Sequence, residues 1–245
     1  MIEKLIIYPT LKCNLRCEYC YYCDNHSGDL SLDNFKKALD KFLAISDNRH
    51  IVFLGGEPFI IFDKIIEFIK YAKKRGVFCN IITNGLLIPK RIEEIKDIDV
   101  IVFSLDGPPE VHNPHRAPGL HDKIVEAMNI CKEYGIKIFT NTVITKKNYN
   151  KLDYILDLSK KYNSTATFQP VENIHNKVSK DNFDNLLLTE EQLKIAFNYL
   201  LEKKRDGYDI GYSYYFLKSP LNFAGKKCKW AGKLFCSILP DGTVI

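Results

Sequence analysis

Hydrophobic positions follow two alternating rhythms along the chain. Short, nearly unbroken runs rich in Ile, Val and Phe occupy residues 4–8, 51–54, 77–82, 99–105, 137–144 and 165–169. Runs of this kind suit strands covered on both faces, where the alternation of polar and apolar positions is lost. Between them apolar residues recur every three or four positions, the period of an amphipathic helix. Residues 32–45 follow Ser31, a good N-cap, and place Phe35, Leu39, Phe42 and Leu43 at helical spacing. Residues 63–75 and 121–134 read as helices that stop at Gly76 and Gly135. Residues 149–162 carry Leu152, Ile155, Leu156 and Leu158, and residues 189–204 open with Thr189 and Gln192 in capping-box spacing. A shorter helix is expected over 89–96.

Six strand–helix alternations imply a parallel sheet with crossover connections. Six units fall short of the eight that close a barrel, so the expected fold class is α/β, a partial (β/α)6 TIM-like barrel. In such folds functional residues gather at the C-terminal ends of the strands. The rhythm breaks at Gly207. An aromatic stretch follows (Tyr208, Tyr212, Tyr214, Tyr215, Phe216), and Pro240-Asp241-Gly242 between apolar residues marks a hairpin turn. The expected division is a barrel over 1–207 and a region over 208–245 containing a short C-terminal β-hairpin appendage.

Length and composition narrow the class without naming it. The chain has 245 residues, 46% hydrophobic and 27% charged, ordinary for a globular protein with one large domain. A net charge of +5, spread over Lys pairs on expected helix faces and ends, admits an anionic ligand without arguing for nucleic acid. No apolar run reaches the roughly 18 residues of a membrane helix, and residues 1–9 do not form a secretory signal. A cytoplasmic protein with no membrane partner is expected.

The cysteines change the picture. There are eight, and four lie between positions 13 and 23, which in a reducing compartment points to a metal site rather than disulfides. Cys13-Asn-Leu-Arg-Cys17-Glu-Tyr-Cys20 spaces three thiols directly after the first strand. Three thiolates in one loop can hold three irons of a [4Fe–4S] cluster, leaving the fourth iron open unless Cys23 supplies a ligand. Zinc is a poorer match, because its usual paired C-x2-C layout is missing.

This loop resembles the signature of the radical S-adenosylmethionine (radical SAM) enzymes. The resemblance implies that the open iron chelates the amino and carboxylate groups of SAM. An electron passed through the cluster then cleaves SAM to methionine and a 5′-deoxyadenosyl radical, which takes hydrogen from a substrate. It also implies that Cys23 is not a ligand and that Tyr19 lies near the adenine.

The next strand ends extend the resemblance. Gly55-Gly56-Glu57-Pro58 resembles the family's GGE motif, which holds the SAM amino group. The two glycines allow close approach to the backbone, and Glu57 can accept from an ammonium group. Thr83-Asn84-Gly85, by itself a turn, resembles a segment beside the SAM site. Ser104-Leu-Asp106-Gly107 with His112 and Arg116 looks like the pattern of the peptide-modifying branch. Ser104 is expected at the SAM carboxylate or ribose and Arg116 at a carboxylate, while Asp106 and His112 are expected either near the site or ordering the loop. Asn141 and Gln169, on the fifth and sixth strands, are polar positions of the same kind. Cys79 and Cys131 read as small buried hydrophobes.

Residues 228–245 resemble the start of the auxiliary-cluster domain, SPASM or twitch, of that branch. Cys228 matches its first cysteine and Cys236 matches loosely, so both are candidate ligands of a second Fe–S cluster. The next expected ligand lies beyond Ile245, which reads as a truncated sequence. The resemblance implies a peptide or protein substrate, oxidised or cross-linked, and an external electron donor of flavodoxin or ferredoxin type. The enzymatic alternative is a small cofactor precursor of a molybdopterin- or haem-like pathway. The alternative from another class is a non-catalytic Fe–S electron-transfer protein.

Overall fold

The computed structural model describes residues 2–20, 28–172, 183–218 and 235–245. Expectations on Cys23 and Cys228 lie outside these residues. Seven strands form one sheet: β1 (Lys4–Ile7), β2 (His50–Phe53), β3 (Phe78–Thr83), β4 (Val100–Ser104), β5 (Lys137–Ile144), β6 (Thr165–Pro170) and β7 (Phe235–Ile238). Their order is β6-β5-β4-β3-β2-β1-β7, and every pairing is parallel. The sheet and its helices make a partial TIM-like barrel, curled and open, in which consecutive strands from β1 to β6 are neighbours.

Five helices lie where the apolar periodicity puts them, α1 (Leu32–Ile45), α2 (Phe62–Lys73), α4 (Leu120–Glu133), α5 (Asp153–Tyr162) and α6 (Glu190–Arg205), and two short ones, α3 (Pro109–His115) and α7 (Tyr214–Lys218), come in addition. Ser31 accepts the Asn34 amide and caps α1, and Thr189 and Gln192 close a reciprocal capping box on α6. The outward-facing sheet residues pack on the helices. Phe35 of α1 stacks on Phe68 of α2 with centroids 4.4 Å apart and lies beside Phe53 of β2. Cys79 and Cys131 are buried among apolar neighbours in this layer.

Three elements differ from the expectations. Residues 89–96 hold only a 3-10 turn, Ile92–Ile95, because Ile92 and Ile95 are its only buried positions and cannot stabilise a longer helix. The helix α3 was expected as loop. Pro109 sits at its start, where a missing N–H removes no bond, and Pro114 lies one residue before its end. The tail hairpin exists, with Ser237 and Ile245 exchanging both backbone bonds at 2.8 Å, but its first strand is also a barrel strand. As β7 it pairs Lys4–Ile7 with Phe235–Ile238 and covers the open edge of β1. At the opposite edge the Ala166 amide donates to Asp209 and its carbonyl accepts from Gly211, so the chain leaving α6 covers β6.

Candidate functional site

The C-terminal ends of the strands converge on one cavity of about 470 Å³. The loop leaving β1 forms one wall and contributes Cys13, Cys17, Tyr19 and Cys20. Local contacts set its shape. The Leu15 amide donates to the Cys13 sulfur at 3.4 Å, the Arg16 guanidinium donates to the carbonyls of Cys13 and Leu15 at 2.9 Å, and the Cys20 amide donates to the Cys17 carbonyl at 3.1 Å. Burial pushes the Cys13 thiol up to about 11, the Leu15 amide opposing. Burial also raises Cys17, opposed by the nearby Arg116 charge.

The β2 end closes on this loop. The Gly56 amide donates to the Thr10 carbonyl (3.0 Å) and the Glu57 amide to the Lys12 carbonyl (2.8 Å). A Cβ on Gly55 would lie 2.4 Å from the Thr10 oxygen, and one on Gly56 would lie 2.1 Å from the Lys12 oxygen. The two glycines therefore make room first for the cysteine loop itself.

Glu57 ties the β2 and β3 ends together. Its Oε1 accepts from the Phe59 amide (3.1 Å) and the Thr83 hydroxyl (2.9 Å), and its Oε2 accepts from the Asn84 amide (2.8 Å). The carboxylate is 1% exposed, and burial pushes it up to about 7 against the pull of these donors. Three of its roughly four lone-pair positions are filled, which leaves Oε2 able to take one further donor. The Asn84 side chain donates to the side-chain oxygen Oδ1 of Asn14 at 2.7 Å and so fixes the cysteine loop from β3.

The β4 end builds a second hub. Asp106 accepts the Tyr19 hydroxyl (2.5 Å), Arg116 Nε (2.6 Å) and Nη2 (3.1 Å), and the Val143 amide (3.1 Å). Burial is the largest influence and works against its charged form, but the Arg116 charge and hydrogen bonds, with His112 and the Tyr19 hydroxyl, together outweigh it and hold the carboxyl below its usual range. Its amide donates to His112 Nδ1 at 3.1 Å, and burial holds His112 neutral, down at about 3. His112 therefore orders this loop from behind and stands apart from the cavity.

The remaining wall comes from β5, β6 and the segment after α6. Ser104, Asn141 and Gln169 line it, and Asn141 accepts the Thr167 hydroxyl at 3.1 Å. Tyr212 and Phe216 also line it as a stacked pair, centroids 4.4 Å apart, next to Phe197 and Glu172. The aromatic run after Gly207 was visible in the sequence, but its return to the cavity depends on the turn after α6. The contacts of Asn14 and Asn148 were not legible at all.

The cavity thus gathers Cys13, Cys17, Cys20, Tyr19, Gly55, Gly56, Glu57, Thr83, Asn84, Ser104, Arg116 and Asn141. Two expected residues stay out of it. Pro58 is buried at the start of the 3-10 turn Pro58–Ile61, where its fixed φ serves the backbone. Asp106 lies behind Tyr19 and Arg116. Cys236 is also elsewhere, opposite Leu5 in the β1–β7 pairing.

The donor set suits a cluster. Among the described residues no three Cys, His, Asp or Glu side chains converge tightly enough to hold a single metal ion. Three thiols spread over one cavity wall fit a cubane instead, in which each thiolate takes a separate iron.

Comparison with known proteins agrees in family. The model of the Radical SAM superfamily matches residues 7–159. An uncharacterized protein of Methanocaldococcus jannaschii is 30% identical over 84% of the chain and 78% of its own length. The tungsten-containing aldehyde ferredoxin oxidoreductase cofactor-modifying protein of Pyrococcus furiosus is 30% identical over 82% of the chain and 62% of its own length. The crystal structure of Streptococcus suis SuiB bound to precursor peptide SuiA shares the fold, with a TM-score of 0.78 at 17% identity, over all of this chain and 59% of that one. The chain therefore spans less than two thirds of the length of the last two.

Proposed function

The chain belongs to the radical SAM superfamily, whose enzymes use a [4Fe–4S] cluster and SAM, and we propose that it abstracts hydrogen from a peptide or protein side chain in order to oxidise or cross-link it. The observation that carries the reading is the single cavity walled by three thiols on one side and by Gly55, Gly56 and Glu57 on the next strand end. In this reading Cys13, Cys17 and Cys20 would hold a [4Fe–4S] cluster through three of its irons, and the chemistry supplied there would be the reductive cleavage of SAM.

The protein's part is binding and exclusion. Glu57 Oε2 accepts from the SAM ammonium, and Arg116 and Ser104 face its carboxylate or ribose. Tyr19, Thr83, Asn84 and Asn141 complete the pocket around the nucleoside. Tyr212, Phe216 and Phe197 shield the far side, where the substrate enters. Residues 1–207 carry the SAM-binding half-barrel, which β7 extends from within the auxiliary region over residues 208–245. An external flavodoxin- or ferredoxin-type donor supplies the electron.

A small cofactor precursor is the second reading, favoured by the name of the Pyrococcus furiosus relative. A pure electron carrier is disfavoured, because it has no use for a cavity of this size beside an incompletely ligated cluster.

The test is anaerobic reconstitution with iron and sulfide, reduction with dithionite, and assay of 5′-deoxyadenosine from SAM. Formation that is lost in Cys17→Ala supports the reading. A reducible cluster that leaves SAM intact favours electron transfer. Fractionated extract from cells grown on deuterated amino acids then separates the substrates: label entering 5′-deoxyadenosine only from the small-molecule fraction would exclude a peptide.

A further inference from the structure

Asp106 is fully buried and makes no part of the cavity wall, yet both side chains it holds do. Its two oxygens receive four donors: the Tyr19 hydroxyl, Arg116 Nε, Arg116 Nη2 and the Val143 amide. A carboxylate offers about four acceptor positions, so none is left for a ligand. Its backbone is fixed as well, through His112 Nδ1 and through Asn148 Nδ2, which donates to the Asp106 carbonyl at 2.9 Å. Any influence on a bound molecule must pass through its neighbours.

Those neighbours form one rigid face. The Arg116 guanidinium lies 5.4 Å from the Tyr19 ring centroid. The contact to Asp106 uses Nε and Nη2, and Nη1 has no acceptor among the described residues. An arginine side chain that is free to rotate loses rotamer freedom when a ligand fixes it. One already fixed by a two-point contact escapes that loss, which is the usual gain from preorganisation.

We propose that Asp106 is a positioning residue for SAM: it locks Arg116 and Tyr19 into one wall and presents Arg116 Nη1 to the carboxylate of the ligand. This rests on the SAM reading above and decides between the two expected roles of Asp106, contact and support, in favour of support. It also assigns the S-x-D-G segment two separate tasks. Ser104 faces the cavity, and Asp106 braces the cysteine loop and α3 from behind.

The test is a double-mutant cycle on the anaerobically reconstituted protein, with iron content and SAM dissociation constant measured for each form. Asp106→Asn keeps the shape but turns one acceptor into an NH2 group facing donors. It should load iron as the parent does and bind SAM about tenfold more weakly or worse, the usual effect of losing a charge-assisted contact. Arg116→Gln should weaken binding similarly, and the double variant should be no weaker than Arg116→Gln alone, because Asp106 acts through Arg116. Unchanged affinity in Asp106→Asn, or effects that multiply in the double variant, would overturn the proposal. Should Asp106→Asn fail to fold, Tyr19→Phe removes one donor to the same carboxylate and keeps the ring. It should bind SAM several-fold more weakly at full iron content, and unchanged affinity there also overturns the proposal. A parent protein that loads its cluster but does not bind SAM sinks the functional reading itself, a distinct outcome.

Discussion

Replacing Gly56 by alanine tests how the cysteine loop is held. Its backbone is not in the left-handed region, so alanine meets no conformational objection there. The obstacle is packing: the new Cβ would lie 2.1 Å from the Lys12 oxygen and 2.6 Å from the Leu11 oxygen. Ordinary carbon–oxygen contacts are about 3.3 Å or more, so the loop must retreat by roughly 1 Å. That retreat stretches the Glu57–Lys12 and Gly56–Thr10 backbone bonds, now 2.8 and 3.0 Å, past useful length. Two amide donors left poorly paired cost about 2–4 kcal/mol together, and Cys13 moves with Lys12. Gly76→Ala is the control. Its φ of +68° is unfavourable for alanine, but nothing lies within 4 Å, so it should cost only about 1 kcal/mol. Urea unfolding of the apoprotein and iron content after reconstitution read both effects. Gly56→Ala should be the less stable and should load less iron. Equal stability for the two variants, with full iron loading in Gly56→Ala, would refute the argument that these glycines serve the loop.

Buried Glu57 and His112 predict opposing pH effects on apoprotein stability. Glu57 rises from 4.5 to about 7 on folding, so its contribution is present below pH 4.5 and is lost as pH rises to 7. His112 falls from 6.5 to about 3, so its contribution is present above pH 6.5 and is lost as pH falls toward 3. Between pH 4.5 and 6.5 the two nearly cancel. Denaturation across that window should therefore show a rise in stability with pH in Glu57→Gln and a fall in His112→Phe; parallel profiles would contradict it. Cys236→Ser should leave iron content in the barrel site unchanged, because Cys236 sits opposite Leu5 and away from the thiol wall. Iron analysis of the reconstituted variant checks this.

The half-barrel was legible because its signal is local. Ile- and Val-rich runs, the Ser31 cap, the Gly76 and Gly135 stops and the Thr189 capping box each act within a few residues. Chemistry at the strand ends was legible for a related reason: a parallel sheet brings successive C-terminal ends to one edge, so Cys13, Glu57, Asn84 and Ser104 had to become neighbours. What escaped depends on distant pairing. No pattern within residues 235–245 says that β7 joins β1, some 230 residues earlier. The sequence left two roles open for Asp106 because a motif records that an acid is present and leaves its partners unstated. Pro108, Pro109 and Pro114 hid α3, since proline ordinarily signals a loop and only its placement at a helix start is permissive.

The anchors of the cysteine loop follow the order of the sheet. The β2 end holds Thr10 and Lys12 through the Gly56 and Glu57 amides. The β3 end holds Asn14 through Asn84. The segment after β4 holds Glu18 through the His115 carbonyl and ring, the latter at 2.7 Å, and holds Tyr19 through Asp106. The segment after β5 reaches Glu18 through Lys147 at 3.3 Å. Adjacent strands are about 4.8 Å apart, so residues 10–19 are laid across the tops of four strands and pinned at each step. The three thiols sit between these pins on a short stretch of backbone that has little apolar core of its own. Their geometry is therefore inherited from strand order and strand-end hydrogen bonds. A substitution at Asn84 or Lys147 acts on the thiol wall even though neither residue is itself a ligand.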